Sequence, residues 1–307
     1  MYHTSLATYL GQPIMNFTLP TDPHELAWLT NIAISAHCDI SAYGKWVFGH
    51  GVVCKSTVSH LLAETKSASV REYSGKLLPL LGALSAIDQY GTCYEPIPAT
   101  FPTGLSNKSG IIKAAHNFLG ISVNSPDSDA LYALRNSLMH QSSLISVGAQ
   151  SKPKHFWFEI ENENNKNIFK HAKTPWNGIY NTRCADNKTI VNSKLVMDLA
   201  FTLIDKLKQA HSQAQLRLTL ANGLQELLTS YVDLKFNISL HDSFIEYIGN
   251  IIYTELYGQP DGIRHAEKIL STLPQGLKDE AAKWLLAQLS GEKLSKISKA
   301  YPAVLHP

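Results

Sequence analysis

Arg135, Asn136 and His140 are the residues of this chain whose types and spacing best suit chemistry. Histidine, with an unperturbed pKa near 6.5, can take or give a proton at neutral pH. Arginine stays protonated and presents a planar fork matched to phosphate oxygens. Together they fit metal-free cleavage of RNA. A base takes the 2′-OH proton, an acid protonates the leaving 5′-oxygen, and a fixed cation steadies the crowded phosphorane. The products of such a step are a 2′,3′-cyclic phosphate and a 5′-OH, and DNA, which lacks the nucleophile, resists it. An Arg-Asn pair followed by His at this spacing is expected roughly 0.04 times by chance in a chain of this composition. An exposed histidine without a role is the competing reading of His140.

The element that must carry these groups is a helix opening at Ser125. Ser125 is a good N-cap, Pro126 suits the first helical position, and Asp127 and Asp129 favour the positive end of the helix dipole. At about 100° per residue, Leu131, Leu134, Leu138 and Ile145 form the core-facing stripe of a helix running to about 146. Arg135 lies at the edge of that stripe. Asn136 and His140, four residues apart, share the far face, with Tyr132, Met139 and Ser143 on the flank. Arg135 and His140 diverge by roughly 140° and about 7.5 Å along the axis. Their convergence needs a long arginine arm or, as the favoured expectation, a second copy of the chain.

Arg135-Asn136-Ser137-Leu138-Met139-His140 resembles the R-N-x-x-x-H signature of HEPN domains, helical domains of many prokaryotic toxin, phage-defence and CRISPR-associated ribonucleases. The resemblance covers about residues 57 to 212. It implies an Arg135 and His140 catalytic pair supported by Asn136, and a homodimer whose active site is built from two copies of the helix. It also implies RNA as substrate, a toxin-antitoxin or antiviral setting with an antitoxin or regulatory partner, and no cofactor or metal. Many members of that family are inactive, so a silent module binding RNA or protein is the alternative.

Composition sets the frame. The chain has 307 residues, 44% of them hydrophobic, and a formal net charge of +2. This is enough to bury a sizeable core but does not by itself announce a nucleic-acid binder. The charge is uneven: residues 101 to 210 carry 13 Lys and Arg against 8 Asp and Glu, while the flanking thirds are slightly acidic. Lys152, Lys154, Lys166, Lys170 and Lys173, with Arg183 and Lys188, follow the motif. They read as a phosphate track, with Lys152, Lys154, Lys170 and Lys173 the candidate RNA contacts, or as a solvated surface. No charged start precedes an apolar run at the N-terminus, no membrane span is evident, and Cys38, Cys54, Cys93 and Cys184 have no C-x-x-C spacing. A cytoplasmic protein with reduced thiols is the expectation.

The expected architecture is mainly α: an up-and-down helical bundle with a β-hairpin insertion and a helical C-terminal appendage. Residues 1 to 55 lack a helical period and read as irregular or short-strand. Residues 56 to 212 form the bundle, with helices at about 57–67, 71–91 (kinked at Pro79), 109–119, the motif helix and 192–212. A hairpin is expected at about 153–172, its aromatics packing on the bundle. Residues 213 to 307 read as helical, with Trp284, Leu285 and Leu289 as packing residues. Asp88, near the end of the second helix, could orient His140 or pair with Arg135, or serve only as a capping or solvated carboxylate. His116 is equally ambiguous.

Two rival constellations carry less. Gly49 to Ser56 resembles a phosphate-binding loop, which would make a nucleotide-binding enzyme, but Cys54 stands where a second glycine is needed. His37, Cys38, His50, Cys54 and His60 could supply zinc ligands, without a recognised finger spacing.

Overall fold

Three helices begin where a polar side chain takes the place of a missing backbone partner. Ser56 accepts from Ser59 N, Ser125 from Ser128 N and Asn192 from Leu195 N. Each such cap stabilises its helix by about 1 kcal/mol and fixes its first residue. The computed structural model describes residues 19–40, 45–48, 52–71, 75–98, 105–148, 154–161, 166–236, 240–258 and 262–288. Among them the protein is mainly helical, with ten α-helices and small sheets. No helix among them is long and apolar enough to cross a membrane.

The chain divides into two compact units. The first, from residues 32–45 and 55–233, contains the Arg135 motif. Its helices are α2 (Thr57–Ser69), α3 (Leu77–Cys93), α4 (Gly110–Leu119), α5 (Pro126–Gln141), α6 (Ser193–Ser212) and the short α7 (Gly223–Glu226). It also receives the end of α1 (Pro23–Cys38). Helix α3 is central and packs against α2, α4 and α6, while α5 packs against α3 and α4. Leu80, Leu84, Ile87 and Tyr90 of α3 are fully buried, each large aliphatic contributing about 1.5–3 kcal/mol of transfer free energy. Where α3 and α4 cross, Gly91 and Gly110 remove the side chains that would hold the backbones apart. A Cβ at Gly91 would overlap the carbonyl oxygen of Gly110, and one at Gly110 would overlap that of Asp88. This close approach lets Asp88 reach across to α4.

A four-stranded sheet lies beside α5, in the order β4 (Ile145–Ser146), β5 (Phe156–Glu161), β7 (Thr189–Asn192), β6 (Phe169–Lys170). Strand β3 (Tyr94–Pro96) pairs antiparallel with β8 (Leu216–Leu218). The expected hairpin is therefore corrected. Its two strands exist, but β7 lies between them, parallel to β5 and antiparallel to β6. Strand β7 buries Thr189, Val191 and Asn192, which suits a central position better than the two-residue β6.

Three further expectations are corrected. The N-terminal segment contains α1, whose start is capped by Asp22 accepting from His24 N and Glu25 N. Its buried Leu29, Ile32, Ala33 and Ala36 recur at i, i+3, i+4 and i+7, a helical stripe to which Ile34 adds burial on a second side. Helix α3 starts at Leu77 rather than near 71, which puts Pro79 in the first turn, where its missing N–H would have had no helical partner and no kink is needed. Helix α5 ends at Gln141 because Ser142 turns left-handed at φ 50°, so Ile145 belongs to β4 rather than to the motif helix.

The second unit, from residues 1–31, 46–54 and 234–307, holds the start of α1 and the helices α8 (Leu240–Gly258), α9 (Gly262–Thr272) and α10 (Gln275–Gln288). Helix α8 packs on both others. The Trp284 ring lies so close over Gly249 that any side chain there would collide with it, and Leu285 is fully buried, as expected of both. Leu289 lies outside the described residues. His241 is held by Glu25, 2.5 Å from Nδ1, and by Glu280 at Nε2. The Glu25 bond is the main cause raising its pKa; burial opposes this and Glu280 assists. A third sheet runs β1 (Lys45–Phe48), β2 (Val52–Ser56), β9 (Val232–Phe236).

Candidate functional site

The positions along α5 set the site. Ser128, Tyr132, Asn136 and His140 recur every four residues on one face and line a cleft of about 900 Å³. Arg135 lines it from the edge of the buried face formed by Leu131, Leu134 and Leu138. The start of α4, with Asn107, Lys108 and Ser109, forms another wall; Ser146, Lys154 and Phe156 of the sheet side complete it.

Arg135 and His140 meet within a single chain. Arg135 Nη1 donates to Asn136 Oδ1 at 2.9 Å and lies 3.0 Å from His140 Nε2. The five-residue divergence on the helix is bridged by the long arginine arm, so a second copy is not needed to bring the two together. Because guanidinium only donates, a hydrogen bond at this contact has Nε2 as its acceptor. Arg135 Nη2 donates to Asp88 Oδ2 at 2.5 Å, while Asp88 Oδ1 accepts from Ile111 N at 2.8 Å in the first turn of α4. Asp88 is thus a hinge pin between α3, α4 and the motif. The ion pair is mostly withdrawn from water, with side chains 21% and 17% exposed. Asn136 is half-buried and His140 exposed. Arg135 Nε and Ser109 Oγ are buried without a hydrogen-bond partner, at a cost of about 1–3 kcal/mol each.

The lysines divide. Lys154 lines the cleft, paired with Asp129. Lys170 is exposed on β6, and Lys173 pairs with Asp186 at 3.0 Å on an exposed surface; neither lines the cleft. Lys152 lies outside the described residues. Lys108, which the sequence pattern did not single out, takes a place in the wall; its one signal was its position just before the Ser109 cap. Tyr132, set aside as a flank residue, is 41% exposed and opens on the cleft. Its signal was the four-residue step to Asn136 and then to His140. Lys108, Arg135 and Lys154 line the cleft; Arg135 is paired with Asp88 and Lys154 with Asp129, so a net excess of one positive charge is left to favour an anionic ligand.

The rival constellations resolve differently. Val52–Ser56 is an extended strand and Ser56 caps α2, leaving Lys55 and Ser56 no curled backbone with which to wrap a phosphate. Residues 49 to 51, including His50, lie outside the described residues. His37 is fully buried, and both its ring nitrogens are engaged: Gln89 Nε2 at 3.2 Å from Nε2, and the Tyr94 hydroxyl at 2.7 Å from Nδ1. Its carbonyl accepts from Tyr90 and Ser59. Burial lowers its pKa to about 3, which makes it a neutral core histidine. His116 is half-buried on α4, outside the cleft. Among the described residues no group of three His, Cys, Asp or Glu side chains is placed to hold a metal ion.

No family model, curated protein or solved structure matches this chain.

Proposed function

We propose that the chain is a metal-independent endoribonuclease of HEPN type, acting in the cytoplasm as a homodimer in a toxin or phage-defence role. One observation carries this reading: a guanidinium anchored by Asp88 and Asn136 touches an exposed imidazole at the wall of a cation-lined cleft. When a phosphate oxygen takes over the Arg135 Nη1 hydrogen that faces His140, Nε2 is released as a base while Asn136 keeps the other. It receives the 2′-OH proton while the 2′-oxygen bonds to phosphorus and the bond to the 5′-oxygen breaks. Arg135 answers the charge that develops on the phosphorane. Asp88 and Asn136 act as positioning residues. The second copy supplies the acid that protonates the 5′-oxygen. Support for that copy comes from Met139, Leu77, Leu78 and Val70, large apolar side chains left 41–86% exposed, Met139 being next to His140 in the motif. An antitoxin or regulatory protein belongs to this reading through the family resemblance alone.

A second reading has its own observation. Both terminal nitrogens of Arg135 are already engaged, by Asp88, Asn136 and His140, as they would be in a silent module that binds RNA or protein. Incubation of labelled RNA with wild-type, Arg135→Ala and His140→Ala proteins separates the two. Cleavage by the wild type and its loss in both variants, with association state unchanged, supports the enzyme. RNA bound equally by all three and cut by none supports the silent module.

A further inference from the structure

The cleft contains a feature that the cleavage chemistry does not use. Tyr132 stands two helical turns before His140 on the same face of α5, 41% exposed, and opens on the cleft. Buried tyrosines join the core, and isolated surface tyrosines are commonplace. This one has a ring in a concave, cation-lined space, with a second aromatic, Phe156, in the same lining. Lys108 stands on the α4 wall and Lys154 on the sheet side. An aromatic ring in a groove that also carries cations is the combination that holds a single nucleic-acid strand, because every base has a π-face and every linkage a negative charge. The eight residues from Tyr132 to His140 span about 12 Å of helix, at most three or four nucleotides at ~3.4 Å of rise per stacked nucleotide.

We propose that Tyr132 is a nucleobase-stacking subsite that holds one unpaired base within about three nucleotides of the bond beside His140, with Lys108 and Lys154 contacting the phosphates on either side. This rests on the ribonuclease reading of the same cleft. It adds a specificity that His140 and Arg135 cannot provide, since they touch only the sugar-phosphate backbone. A base kept in a duplex stack cannot also lie on the ring. The subsite therefore selects loops, bulges and single strands, with tolerance for base identity because stacking does not read hydrogen-bond edges.

The test uses full-length His140→Ala protein, so that RNA is bound without being consumed. Its affinity for a short single-stranded RNA is compared with that of the same protein also carrying Tyr132→Phe, Tyr132→Leu or Tyr132→Ala. An abasic ribose is then moved through the RNA one position at a time. Tyr132→Phe keeps the ring and should bind within about twofold. Tyr132→Leu and Tyr132→Ala should weaken binding roughly 5- to 100-fold. One abasic position should cause a similar loss in the parent and little further loss in Tyr132→Ala. The same RNA annealed to its complement should bind no more tightly than single strands bind Tyr132→Ala. Equal affinity of Tyr132→Ala and the parent, or a flat abasic profile, overturns the subsite while leaving the cleavage chemistry standing. Absence of any RNA binding overturns both. A Tyr132-dependent interaction in a chain whose wild type does not cut RNA retains the subsite and removes the catalytic reading.

Discussion

Asp88→Asn is the sharpest perturbation of the site, because it changes one atom type and almost no volume. Asp88 uses one oxygen for Ile111 N and the other for Arg135 Nη2. Asparagine can keep the first bond through its carbonyl oxygen, but then turns an NH2 group toward a guanidinium that also only donates. A hydrogen bond to a charged group contributes about 1.5–3 kcal/mol net. With the two side chains only 17% and 21% exposed, solvent recovers little of that, and a loss of about 2 kcal/mol in unfolding free energy is expected. The freed arginine arm no longer has a fixed direction, so cleavage should fall on the order of 10- to 100-fold, mainly through kcat. Asp88→Ala, which also strands Ile111 N, should cost more than Asp88→Asn in stability. Urea unfolding and a labelled-RNA cleavage assay measure the two effects. Wild-type stability and wild-type kcat in Asp88→Asn would show that the carboxylate does not hold Arg135 in place.

Other expectations follow from the same geometry. Gly91→Ala forces α4 away from α3 and should cost about 1–3 kcal/mol in urea unfolding, and its effect on cleavage should exceed that of Ala at Gly276, where a Cβ meets nothing within 4 Å. The His37 pKa is depressed to about 3 in the folded chain, from 6.5 when unfolded, so between these values the unfolded state binds the extra proton. Stability should be full above about pH 6.5 and fall as the pH drops toward 3, by on the order of 4 kcal/mol at most. His37→Gln should flatten that decline in urea midpoints measured at pH 7, 5 and 4. His241 has the opposite sign: its pKa is raised, chiefly by the Glu25 bond, so its contribution is complete below its ordinary value and lost as pH rises through the raised one. An NMR titration of the imidazole should move back toward 6.5 in Glu25→Gln.

The legible parts of the molecule were those written in local chemistry. Ser56, Ser125 and Asn192 mark helix starts that depend only on a side chain and the N–H groups just after it. The face shared by Asn136 and His140 followed from helical spacing alone, and the reach of Asp88 to Arg135 was one of two options that spacing left open. What did not show was nonlocal. Helix α1 is the exception, since its signals are local: Asp22-Pro23 marks its start and Leu29, Ile32, Ala33 and Ala36 recur at helical spacing. The insertion of β7 between β5 and β6 is a pairing between segments some 20 to 30 residues apart, and no local pattern distinguishes it from a hairpin. Lys108 enters the cleft because α3 and α4 approach on two glycines, a fact of packing rather than of motif.

The most direct test of the central claim is an end analysis of RNA incubated with the purified protein in excess chelator. The Arg135 and His140 mechanism predicts undiminished cleavage that leaves 2′,3′-cyclic phosphate and 5′-OH ends. It also predicts no cutting of an RNA whose scissile 2′-OH is replaced by hydrogen, and loss of cutting in His140→Ala. Cleavage abolished by the chelator, 3′-OH ends, or full activity in His140→Ala would contradict it.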